Sequence, residues 1–115
     1  MPSPLLTIEV DRLDAGTARL RVAGELDFDT AAELVEAAAE LRRDGHQELW
    51  LDFAGVTLCD SSGLSALVVI HRSGTAGIHL IDVSPHVRRL LDRTGLTELL
   101  PAPPRAAAGD AREVG

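Results

Sequence analysis

The chain has 115 residues, with 18 acidic against 11 basic side chains and a formal net charge of -7, a balance that opposes a phosphate-rich surface and excludes nucleic acid as the expected ligand. Its length suits one domain with one core. With two Phe, one Trp and no Tyr, that core must come from Leu, Val, Ile and Ala, as where helices pack on a sheet.

The opening Met1-Pro2-Ser3-Pro4 lacks the charged and apolar regions of a leader, and no apolar run approaches the ~20 residues of a membrane span. Cys59 is the single cysteine, which rules out a disulfide within the chain and fits a reducing compartment. A cytoplasmic protein without direct membrane binding is expected.

Thr7 to Val10 and Thr17 to Ala23 read as two strands of a half-buried hairpin, with Ala18, Leu20 and Val22 alternating against Arg19 and Arg21. Thr30-Ala31-Ala32-Glu33 fits a capping box, and apolar residues then recur at helical spacing from Ala31 to Leu41, predicting a helix over Thr30 to Arg43 that stops at Asp44-Gly45. Asp27 and Asp29 just ahead of it suit the positive end of a helix dipole.

Glu48 to Phe53 reads as a short strand, with Leu49, Leu51 and Phe53 on one face. It leads toward Cys59-Asp60-Ser61-Ser62-Gly63-Leu64, where an acidic residue, two hydroxyls and a glycine open a second helix whose apolar face is Leu64, Leu67, Val68 and His71. The free amides of a helix start favour an anion held there, so a phosphate on Ser61 would sit where the backbone tolerates negative charge. The plainer reading makes Ser61 an N-cap and Ser62 a solvated hydroxyl, with Asp60 also a candidate cap. Gly63 lets the backbone approach a partner or a neighbouring element.

Ile78 to Val83 resumes as a strand. Ser84-Pro85 then combines an N-cap with proline at the first helical position, Val87, Leu90 and Leu91 form a stripe, and Gly95 stops the third helix. Leu96 to Leu100 is apolar enough to pack before the proline run that starts at Pro101. A domain over residues 1–100 is expected, followed by a Pro/Ala-rich tail over 101–115 that is either partly helical or disordered.

The order β-β-α-β-α-β-α predicts an α/β fold with a mixed sheet of about four strands and about three to four helices, because strands separated by single helices lie parallel through right-handed crossovers. The loops holding Asp27 and Ser61 should then be neighbours at the carboxyl edge of the sheet.

Enzymatic signals are weak. Cys59-Asp60-Ser61-Ser62-Gly63 is not the Gly-x-Ser-x-Gly elbow of a serine hydrolase, and no histidine is placed as its base. His46, His71, His79 and His86 fall on separate elements without metal-ligand spacing, and neither a Walker A nor a Gly-x-Gly-x-x-Gly motif occurs. No enzyme activity, metal or cofactor is expected. Cys59 reads as a small packing residue.

Two segments, Gly24-Glu25-Leu26-Asp27 and Leu51-Asp52-Phe53 through Asp60-Ser61-Ser62-Gly63-Leu64, resemble in sequence and spacing the STAS family, specifically the free-standing bacterial anti-sigma factor antagonists. Leu80-Ile81, the Ser84-Pro85 helix and Thr94-Gly95-Leu96 extend the likeness over about Leu5 to Leu100. The resemblance implies that Ser61 is phosphorylated by an anti-sigma factor with serine kinase activity. It further implies that the unphosphorylated form binds that factor and frees a sigma factor, and that a phosphoserine phosphatase resets the cycle. Asp27, Asp60, Ser61, Ser62, Gly63 and Leu64 are the implied partner-binding residues. The same resemblance admits an accessory subunit of a membrane transporter without a phosphoserine cycle. Cys59, where the family commonly has a larger aliphatic residue, and the Pro-rich tail depart from the pattern.

Overall fold

A computed structural model describes residues 5–100; the tail expected over 101–115 lies outside the described residues. Strand β1 (Leu6–Arg12) turns into β2 (Thr17–Leu26), followed by helix α1 (Ala31–Arg43), β3 (Glu48–Cys59), α2 (Ser61–Arg72), β4 (Ile78–Ile81), α3 (Pro85–Thr94) and a 3-10 turn at Thr97–Leu99. The strands form one four-stranded sheet in the order β1-β2-β3-β4. β1 runs antiparallel to β2, while β2–β3 and β3–β4 are parallel, as expected for strands joined by helical crossovers.

Register divides the sheet into two chemically different faces. Leu6, Ala18, Leu20, Val22, Leu49, Leu51, Phe53, Ile78 and Leu80 are buried and join Leu34, Ala38 and Leu41 of α1 and Leu64, Leu67 and Ile70 of α2 in one core. The alternate positions place Glu9 opposite Arg21 and Asp11 opposite Arg19. There the Asp11 carboxylate accepts from Arg19 at 3.1 Å and Arg21 at 3.0 Å, contacts that hold its pKa below the usual value, the Arg19 hydrogen bond being the largest cause.

β3 runs six residues past its expected end at Phe53. Alternation fails there because register shifts against β2 insert extra residues into β3, so the buried positions after Phe53 are Val56 and Cys59 rather than every second residue. Gly55 makes the close approach possible, since a side chain there would meet the Ala23 Cβ at 2.7 Å. β2 likewise runs on to Leu26 through Gly24, whose φ of +105° suits glycine.

The third helix forms as its sequence predicts: Ser84 Oγ accepts from the Val87 N–H at 3.2 Å, Pro85 opens the first turn, and Gly95 takes a left-handed φ of +74°. On α2 the buried positions are Gly63, Leu64, Ala66, Leu67 and Ile70, a stripe rotated from the expected one. Val68 and His71 are only half-buried, and His71 serves instead as a polar pin, its Nδ1 accepting the Ile78 N–H at 3.1 Å.

Arg42, near the end of α1, ties the lower end of α2 to the start of β4. Its guanidinium donates to the Ile70 carbonyl, to Ser73 Oγ at 3.0 Å, to the Gly77 carbonyl at 3.0 Å and to the Gln47 carbonyl at 3.3 Å. Arg42→Ala would strip these carbonyls of charged donors and should lower the free energy of unfolding by about 2–3 kcal/mol, with Arg42→Lys intermediate, as read from urea denaturation midpoints.

Candidate functional site

Both loops expected at the carboxyl edge are side by side. Leu26, the last residue of β2, pairs with Cys59, the last of β3, and the Asp60 N–H donates to the Leu26 carbonyl at 3.2 Å. The β2–α1 loop carrying Asp27 and the β3–α2 turn carrying Ser61 therefore start from one hydrogen-bonded junction.

Asp60 is the N-cap of α2. It has extended backbone geometry, and its Oδ1 accepts the Gly63 N–H at 3.0 Å. Of the four N–H groups that a helix start leaves without an intrahelical acceptor, the one on Asp60 goes to Leu26 and the one on Gly63 to the Asp60 carboxylate. Those of Ser61 and Ser62 remain, so the capping role considered for Ser61 belongs to Asp60.

Ser61 is exposed, and among the described residues its hydroxyl has no hydrogen-bond partner and no neighbouring base. Ser62 is half-buried, while Gly63 and Leu64 are buried. A side chain on Gly63 would meet the Leu26 carbonyl oxygen at 2.7 Å and Cys59 Sγ at 3.0 Å; the close neighbour that requires glycine is therefore β2.

Asp27 has a comparable local task. Its Oδ1 accepts the N–H groups of Asp29 at 3.0 Å and Thr30 at 3.2 Å. The capping box expected from Thr30 and Glu33 does not form, because the buried Thr30 hydroxyl turns back to donate to the Glu25 carbonyl at 2.7 Å and to accept the Asp27 N–H at 2.9 Å. Local sequence offers both arrangements; burial of Thr30 under the loop selects the second.

Beside Ser61 an open groove of about 420 Å³ runs between α2 and the end of α3, lined by Ser61, Leu64, Ser65, Val68, Val69, Thr94 and Leu96. Its walls are mostly apolar, and Val69 is 52% exposed. Phe28, between Asp27 and Asp29 on the adjacent loop, is also exposed; an aromatic residue outside any apolar period was the available sequence signal for it.

Cys59 is buried beneath the turn, and desolvation followed by the nearby Asp60 carboxylate pushes its pKa up to about 11, so it is a packing thiol rather than a nucleophile. Among the described residues no cluster of His, Cys, Asp and Glu is placed to hold a metal ion, and no helix is long and apolar enough to cross a membrane.

Comparison with known proteins places these features in context. Residues 10–101 match the family model described as Mlab, STAS domain. The anti-sigma-B factor antagonist of Staphylococcus epidermidis is 32% identical over 84 residues, covering 70% of this chain and 78% of that protein. The crystal structure of an anti-sigma factor antagonist from Mycobacterium paratuberculosis superposes with a TM-score of 0.76 at 27% identity, over 94% of each chain. The unphosphorylated form of the antagonist SpoIIAA has the same fold, with a TM-score of 0.70 at 19% identity over 89% of this chain and 92% of that one.

Removing the Asp60 cap in Asp60→Ala should cost about 1 kcal/mol, and Gly63→Ala about 1–3 kcal/mol through overpacking against Leu26, both measurable by urea denaturation. Because the folded protein holds the Cys59 proton more tightly than the unfolded chain does, stability carried by the neutral thiol is complete below pH 9 and is lost as pH rises toward about 11. Cys59→Ala should flatten that alkaline decline in a series of melts.

Proposed function

The chain belongs to the STAS domain family, and from that premise we propose that it is an anti-sigma factor antagonist switched by phosphorylation of Ser61. The observation that carries this reading is the exposed, unpartnered Ser61 hydroxyl in the first turn of α2, already relieved of capping duty by Asp60. The unphosphorylated protein binds an anti-sigma factor with serine kinase activity and so releases a sigma factor for transcription.

Phosphorylation transfers the γ-phosphoryl group of ATP to Ser61 Oγ: a P–O bond forms there, the bond to ADP breaks, and the hydroxyl proton leaves to a base on the kinase. This chain contributes an acceptor held outward by a rigid cap, with the Ser61 and Ser62 N–H groups facing the new anion's side of the helix start. The added charge of about -1.5 to -2 is tolerated by the fold but is costly beneath a docked partner. Against a desolvated interface a few kcal/mol is enough for release, since each 1.4 kcal/mol is about tenfold in affinity. A phosphoserine phosphatase restores the binding form.

Within this reading Asp27, Asp60 and Gly63 hold the two loops in place, while Ser61, Ser62 and the Leu64 side of the groove are presented to the partner. The test is incubation with the organism's anti-sigma factor kinases and labelled ATP, followed by phosphopeptide mapping. Label should appear on Ser61; Ser61→Ala should abolish it while retaining binding, and Ser61→Asp should weaken binding at least tenfold. Equal labelling of Ser61→Ala would overturn the assignment, and co-purification with a transport ATPase and membrane subunits would favour the transporter-subunit reading.

A further inference from the structure

Among the described residues Phe28 is the most exposed large hydrophobic side chain, 81% accessible where the others reach 40–52%. The fold does not require an aromatic group there: the loop is held by Asp27 and Thr30, and the core residues on either side are Leu26 and Leu34. An aromatic ring left in water at a loop tip, outside the core, marks a contact made with another molecule.

Its position fits the partner already proposed. Phe28 and Ser61 each lie two residues beyond the paired Leu26 and Cys59, so a strand spacing of ~5 Å and four Cα steps of ~3.8 Å keep their Cα atoms within about 20 Å. A standard interface of about 800 Å² per partner is roughly 30 Å across. A protein seated over the Ser61 hydroxyl therefore covers Phe28 as well.

Charge defines the character of that contact. Asp27 and Asp29 flank the ring, and the exposed Asp29 carboxylate has no hydrogen bond or ion pair among the described residues, in a chain of net charge -7. We infer that Phe28 is an aromatic anchor that enters an apolar, basic-rimmed socket on the anti-sigma factor; this rests on the function proposed above. Affinity then resides largely in the β2–α1 loop and switching in the β3–α2 turn, two adjacent but separable elements.

The test measures binding to the anti-sigma factor kinase that labels Ser61, by surface plasmon resonance at two salt concentrations. Phe28→Ala should weaken binding at least tenfold, Phe28→Leu should retain most of the affinity, and neither should move the thermal melt. Asp29→Lys should slow association and flatten its salt dependence. If Phe28→Ala binds within twofold of wild type, the anchor is overturned while Ser61 labelling, and the function it supports, stands. Unchanged Asp29→Lys kinetics would overturn the basic rim. Wild-type protein that neither binds any such kinase nor is labelled at Ser61 would overturn the underlying reading and this inference with it.

Discussion

The Leu26 carbonyl is the point on which the upper edge of the molecule depends. It ends β2, receives the Asp60 N–H, and lies so close to Gly63 that a methyl group there would collide with it. This contact joins the last turn of the parallel β2–β3 pair to the first turn of α2 and leaves little freedom in how the helix leaves the sheet. The Asp60 cap follows from that geometry, and the outward placement of Ser61 follows from the cap.

The other end of α2 is held by a different chemistry. Where the upper end relies on close backbone packing, the lower end relies on the Arg42 guanidinium gathering carbonyls from α2, the α1–β3 connection and the turn before β4, with burial lowering the Arg42 pKa. His71 adds a second polar tie, from α2 to β4. The helix that presents the serine is thus anchored at both ends, and charge added at its exposed start can alter binding without requiring the scaffold to rearrange.

Acidity runs through the arrangement in two roles. Asp27 and Asp60 turn their carboxylates inward onto backbone N–H groups and organise the two loops. Asp29 leaves its carboxylate free beside an exposed ring. Residues of one type, a few positions apart, therefore divide between building the edge and presenting it.

Much of the architecture was legible from periodicity and punctuation: the strand and helix order, the Ser84-Pro85 start and Gly95 stop of α3, and the adjacency of the loops after β2 and β3, which right-handed parallel crossovers require. The serine-bearing turn was legible because Asp-Ser-Ser-Gly at a strand-to-helix junction is a local signal. What the sequence left undecided were choices between near-equal local options. Thr30 had a nearby capping partner but turns back beneath the loop; Asp60 and Ser61 were both eligible caps; β3 runs past Phe53 because bulges against β2 break its alternation. Each was settled by contacts with residues distant in the chain, because hydrogen-bond alternatives of similar local energy are separated only when burial leaves one of them without water as a substitute.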